Sequence, residues 1–222
     1  MNCSGFFWTF GRIRCIFMGN EFANRGTDMN FQIKKAAPAD GQAIGDLIGE
    51  VWAGMEKKEW YVPDDGEQIR SLLETGEGIA FLAEEAETGE LAGVFVAVLP
   101  GKAEKNLGRE FGLSEEELPL AAHMDSAAVR EKFRGFGLQR RLMETAEQAL
   151  ADRGIRYLFC TAHPENCYSQ NNIRGLGYEA FLRREMYGGR MRDLFVKRIP
   201  PEGFGKNAEN IFSAEDKEVW HK

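Results

Sequence analysis

The sequence predicts a mixed α/β domain built on one central β-sheet, and three observations carry that expectation. Short strand-like runs alternate with helically spaced segments in the order β-α-α-β-β-insert-β-α-β-α-β-β. Between residues 123 and 161 a buried strand passes through a glycine-rich turn into an amphipathic helix and then a second strand. The chain has 222 residues, 43% of them hydrophobic, which is enough for one compact core without metals or disulfides.

Phe31, Ile33 and Lys35 alternate with their neighbours and predict a first strand ending before Pro38. Asp40 is placed to cap a helix in which Ala43, Ile44, Leu47, Ile48, Val51, Trp52 and Met55 recur at helical spacing. Trp60 to Pro63 reads as a loop, and a second helix is expected from about Gln68 to Thr75, stopped by Gly76. Ile79 to Glu84 and Leu91 to Leu99 form a hairpin around Thr88-Gly89. Residues 102 to 118 are polar and read as an insertion, with Ser114 and Glu117 as a capping box. Met124 to Val129 is a buried strand, and Leu138, Leu142, Ala146, Ala149 and Leu150 line one helix face. Ile155 to Thr161 is a strand and Ser169 to Leu176 a helix. Phe181 to Met186 and Arg192 to Ile199 are the last strands.

These elements place one domain at 29–200. A disordered N-terminal extension is expected at 1–28 and a loosely held tail at 201–222. The apolar run at Gly5 to Phe10 is too short to span a membrane and is followed by Arg12 and Arg14; Met18 and Met29 are alternative starts. A net charge of −7 and a pI near 5.2 argue against nucleic acid as a partner. Four cysteines without a CxxC pair and three histidines offer no zinc-site spacing. A reducing, cytoplasmic location is expected, with no metal and no membrane partner.

The chemistry-bearing stretch is Val129-Arg-Glu-Lys-Phe-Arg134-Gly135-Phe136-Gly137-Leu138-Gln139. A turn at a helix N-terminus presents backbone N–H groups and a helix dipole, a setting that attracts phosphate. The glycines allow close approach, and Arg134 adds a positive charge. A dinucleotide fingerprint fails because Arg140 stands where its third glycine belongs, and a P-loop fails for want of GK[ST]. By itself a GxG also fits a plain tight turn.

This stretch resembles motif A of the GNAT acyltransferases, [Q/R]-x-x-G-x-[G/A], through Arg134, Gly135 and Gly137; Gln139 departs from its last position. Thr161-Ala-His163-Pro164-Glu165-Asn166-Cys-Tyr168-Ser169, with Asn172 and Gly177-Tyr178, resembles the family's motif B. The resemblance covers residues 30 to 199. It implies a GNAT fold, with a mostly antiparallel sheet, a splayed parallel strand pair and flanking helices.

The resemblance further implies that acetyl-CoA donates an acetyl group to a primary amine of a small molecule or peptide. Backbone groups of Ala127 and Val129 would hold the pantetheine arm. Arg134, Gly135, Phe136, Gly137, Leu138 and Gln139 would hold the pyrophosphate. Asn166 and Ser169 would lie beside the arm, or simply cap a helix. His123 is the candidate base, on a strand face expected to carry His123, Asp125, Ala127 and Val129 together; Asp125 is the alternative and a structural histidine the plainer reading. Ile173 stands where a tyrosine acid is frequent, so Tyr168 is the substitute candidate, or a packing tyrosine. A homodimer is compatible with this reading. Two alternatives remain open: an acyl-CoA-binding regulatory module without turnover, and an enzyme using a longer acyl donor.

Overall fold

The computed structural model describes residues 29–200, so the expected extension and tail lie outside the described residues. The chain runs β1 (Phe31–Lys35), α1 (Gly41–Ala53), α2 (Gly66–Glu74), β2 (Gly78–Glu85) and β3 (Leu91–Val98). The insertion carries the short helix α3 (Gly108–Phe111) and leads into β4 (Ala121–Val129). Then come α4 (Leu138–Ala151), β5 (Tyr157–Ala162), α5 (Cys167–Gly175), β6 (Glu179–Met186) and β7 (Arg190–Arg198). The seven strands form one sheet in the order β1-β2-β3-β4-β5-β7-β6. Every pairing is antiparallel except β4 with β5. The expected class and element order are those observed.

Strand alternation sorts the core onto two faces. Phe81, Phe95, Met124 and Phe195 meet Leu138, Leu142 and Ile173 of α4 and α5. Ala80, Leu82, Val94 and Val96 point the other way, onto Ile44, Ile48 and Ile69 of α1 and α2. On that same side, farther along the sheet, Phe159 and Leu194 are covered by Leu107 and Phe111 of the insertion. Helices α1 and α2 pack closely because Gly45 faces Gly66: a Cβ on Gly45 would come within 2.3 Å of the Gly66 nitrogen. That contact fixes where the connection between the two helices runs. Among the described residues no helix is long and apolar enough to cross a membrane.

Several local expectations change for physical reasons. The Asp40 carboxylate accepts from the Ala37 N–H at 2.8 Å and so closes the preceding turn, leaving α1 without a side-chain cap. Helix α2 instead has a reciprocal capping box, with Asp65 accepting from Gln68 N–H and Gln68 accepting from Asp65 N–H. The Glu117 side chain does accept from Ser114 N–H at 3.0 Å, but a 3₁₀ turn follows. Strand β5 starts at Tyr157 because Ile155 N–H is committed to Leu150 O at the end of α4.

Leu142 is fully buried between α4 and the sheet, so Leu142→Ala should cost about 2–5 kcal/mol. A lower urea midpoint at unchanged m-value would show it, and a loss well under 1 kcal/mol would mean that α4 does not carry this core.

Candidate functional site

The site begins where two strands part. β4 and β5 pair only over Ala121↔Tyr157, Ala122↔Leu158 and His123↔Phe159. Beyond that register both strands continue without pairing to each other, leaving a wedge between Met124–Val129 and Cys160–Ala162. Arg130 N–H donates to Ala92 O across the β3 side. By strand alternation the main-chain groups of Val129 and Ala127 therefore face the wedge. An extended, amide-bearing chain inserted there would complete the broken ladder.

At the end of the wedge Arg134–Gln139 turns into α4. Gly135 and Gly137 take φ of 90° and 72°, in the left-handed region that favours glycine. A Cβ at either would meet nothing within 4 Å, so the space in front of the turn is open. The first N–H groups of α4 lack intrahelical partners, and an anion would fit them. Arg134 is exposed and makes a long contact of 3.4 Å to Val129 O. The strand end is held by Arg130, which reaches Glu50, Glu90 and Leu91 O. Gln139 accepts from Asn172 at 2.9 Å, joining the first turn of α4 to α5.

A second wall, on the α1–α2 side of β4, comes from separate segments. Val96 pairs with Ser126 and Ala97 with Met124, so Asp125 is the extra residue of a β-bulge. The bulge turns Asp125 and Ser126 toward the α1–α2 connection. There Ser126 Oγ donates to Asp64 at 2.6 Å. Asp125 keeps part of its surface exposed. Burial and the adjoining Asp64 carboxylate push Asp125 up to about 7. Tyr61 and Tyr187 both sense Asp64 and Asp125, and burial raises both phenols. The Tyr61 hydroxyl lies near Ser126 but makes no hydrogen bond of normal geometry.

The sequence model of the acetyltransferase (GNAT) family matches residues 46–178, more than half of the chain. This chain belongs to the GNAT acetyltransferase family. Solved structures share the fold at low identity. An acetyltransferase of the GNAT family from Streptococcus pneumoniae is 16% identical, with a TM-score of 0.58 over 77% of this chain and 100% of that one. yncA from Salmonella typhimurium, solved with its cofactor acetyl-CoA, is 15% identical, with a TM-score of 0.58 over 78% and 96%. Arabidopsis thaliana NAA60, solved in complex with acetyl-CoA, is 13% identical, with a TM-score of 0.61 over 77% and 99%. No curated protein matches the sequence.

Within this GNAT domain the expected residues separate into groups. Ala127 and Val129 border the wedge, and Arg134 to Gln139 form the open turn at its end. Asn166, not Ser169, is the N-cap of α5: its carbonyl oxygen accepts from Ser169 N–H at 3.1 Å, and this side chain is thereby committed. Tyr168 is on the outside of the first turn of α5, with 69% of its surface exposed, which suits neither packing nor a shielded acid. The face expected to unite His123, Asp125, Ala127 and Val129 is broken by the bulge. His123 and Asp125 stay on the α1–α2 side, while Ala127 and Val129 pack toward α4. Asp64 had no motif to mark it.

His123 is half-buried, and its Nε2 accepts from Leu107 N–H at 3.0 Å. Burial, with Lys105 nearby, holds its pKa down to about 4. The ring is then neutral with its proton on Nδ1, and its only basic lone pair is already used. His123 fastens the insertion to β4 and is not arranged to accept a substrate proton.

Two outcomes test this division. Gly137→Glu puts a side chain and a negative charge at a left-handed position in front of α4, so acetyl-CoA affinity by calorimetry should fall about tenfold or more. Unchanged affinity in a folded variant would move the anion site elsewhere. His123→Ala orphans Leu107 N–H and should destabilise the domain by about 1–3 kcal/mol in urea. A rate–pH profile whose acidic limb vanished in that variant would return the histidine to catalysis.

Proposed function

We propose that this acyltransferase moves an acetyl group from acetyl-CoA to a primary amine of a small molecule or peptide. The observation that carries the reading is the acidic pair at the bulge where the wedge opens, Asp125 beside an Asp64 that Ser126 holds, a setting that raises the Asp125 carboxyl toward neutrality. An amine must shed a proton before it attacks a thioester. A base with a pKa near the working pH is suited to take it.

Asp125 accepts the ammonium proton while Asp64, held by Ser126, keeps the pair from ionising twice. The freed amine attacks the thioester carbonyl, and the tetrahedral intermediate passes its second N–H proton to solvent as the C–S bond breaks, giving amide and thiolate. A wedge-facing main-chain N–H at Ala127 supplies a fixed dipole for the carbonyl oxygen. The walls of the wedge align donor and acceptor. With Ile173 in the usual tyrosine position and Tyr168 exposed, the thiolate leaves to solvent without a dedicated acid.

The experiment is a broad amine panel with acetyl-CoA and thiol detection. Steady thiol release with at least one amine supports transfer. Ile173 also favours a second reading, an acyl-CoA-binding module, which predicts calorimetric binding of acetyl-CoA with no release on any amine.

The pH dependence follows from Asp125. Only its ionised form accepts a proton, so the rate should rise as pH passes through about 7. Asp125→Asn should lower turnover by about 10²-fold or more and remove that limb. Stability has the opposite sign. The folded pKa lies above the unfolded value near 3.9, so the folded state holds a proton more readily. That contribution is complete below about pH 4 and is lost as pH rises through about 7. Asp125→Asn should therefore gain more in melting temperature at pH 8 than at pH 5. A rate limb that persists in Asp125→Asn would exclude it as the base.

A further inference from the structure

The mechanism leaves one buried charge unused. Arg192 on β7 is 2% exposed, although the cover over it, the Tyr187 ring and the connection after α1, is thin. Of its five N–H groups, two donate to main-chain carbonyls, those of Glu59 and Met191, both at 2.9 Å. The Tyr187 ring centre is 5.5 Å from the guanidinium carbon. Among the described residues no carboxylate pairs with Arg192. Its neighbour shows the contrast: Asp193, on the opposite face of β7, holds Arg183 through both oxygens.

A guanidinium taken out of water without an anion is costly, and chains normally pair it. Carbonyl dipoles and a ring offset only part of that cost. The remaining donors form the planar fork that matches a carboxylate. Arg192 also shares its surroundings with the acidic pair. Tyr187 lies over Arg192 and at the same time senses Asp125 and Asp64. Glu59, whose carbonyl holds Arg192, is two residues from Tyr61, which also faces Asp64 and Asp125. The wall therefore carries an anionic pair and an unmatched cation in one neighbourhood. Three further donors, Trp52 Nε1 near the end of α1 and Trp60 Nε1 and Tyr61 Oη in the connection, are buried without acceptors.

The cover can move. Tyr187 has φ of 49°, a strained value for a non-glycine residue, and is followed by Gly188 and Gly189 at 78° and 91°. Rotation at that turn would carry the ring off Arg192 while the strands stay paired.

We propose that Arg192 binds a carboxylate of the acceptor, so that the acceptor is zwitterionic, an amino acid whose ammonium faces Asp125 and whose carboxylate displaces Tyr187 from the guanidinium. This rests on amine transfer as the activity. It sets the chain apart from transferases that act on simple alkylamines or on the amine of a long peptide.

The test uses the full chain and the common amino acids, each beside its C-terminal amide. Thiol release from acetyl-CoA is measured, together with the melting shift each compound gives without acetyl-CoA. At least one acid should exceed its amide by about tenfold or more in kcat/KM, mainly through KM, because the amide cannot fill the fork. Arg192→Gln should bring acid and amide together, and Arg192→Lys should keep part of the preference. Equal use of acid and amide by the natural chain overturns the proposal. So does a preference that survives in Arg192→Gln, or an equal loss on both compounds, which would make Arg192 only an anchor for Glu59. If Arg192→Gln does not fold, Arg192→Lys decides, since a preference fully kept there needs no fork. If no compound releases thiol but acids shift melting more than amides, amine transfer fails and the carboxylate site stands. An absent melting preference with no thiol release overturns the site as well.

Discussion

Beyond the His123↔Phe159 register, β4 and β5 stop sharing hydrogen bonds, and the rest of the site depends on that broken ladder. A continuous parallel pair would have spent the Ala127 and Val129 main-chain groups on β5. The bulge at Asp125 accompanies the break. One extra residue shifts the alternation, so a single strand sends Asp125 and Ser126 to one face and main-chain groups of Ala127 and Val129 to the wedge edge. Unpaired strand groups would be a liability unless something fills the gap. Two solved structures that share this fold are complexes with acetyl-CoA, a molecule with an amide-bearing arm.

The opened strand needs fixed ends. At one end Arg130 is tied to α1 and β3 through Glu50, Glu90 and Leu91 O, which sets the take-off of the glycine turn. At the other end Leu107 N–H on His123 and Tyr157 Oη on Glu117 hold the insertion against β4 and β5. The acceptor wall is held by less direct means. The close Gly45–Gly66 approach sets the helix pair, Lys58 donates to Trp52 O and Ala53 O at the end of α1, and Arg192 grips Glu59 O. These ties hold Asp64 beside Asp125, an arrangement that like charges resist. Stability given up at that pair is offset by apolar packing on both sheet faces.

The fold was legible because period-two and helical patterns are local, and every strand and major helix follows from them. The glycine turn was legible because its chemistry uses a contiguous stretch of main chain. What stayed hidden depends on partners far apart in sequence. His123 has the right residue type and strand for a base, but the Leu107 N–H that occupies its lone pair is 16 positions away. Asp64 is one acid in a loop until Ser126, 62 positions on, receives it. The bulge leaves no composition signal in Met124-Asp125-Ser126, so the shared face drawn from simple alternation failed just past it. Asn166 and Ser169 are both good caps, and only the backbone path decides which one faces the free N–H.

The same contrast separates what a family keeps from what a single chain selects. The wedge and the turn at its end are built from main-chain groups and glycines, which tolerate replacement of most side chains, and the fold that carries them is shared at 13–16% identity. The acceptor side is built from side chains of four segments, each free to change alone. The family match spans residues 46–178 and includes Asp64 and Asp125, but it ends before Tyr187 and Arg192. The acidic pair thus lies in the matched stretch, and the buried guanidinium lies beyond it. Likeness to other GNAT structures therefore informs on the fold and its wedge, while the proposed choice of acceptor rests on β7 and the turn before it.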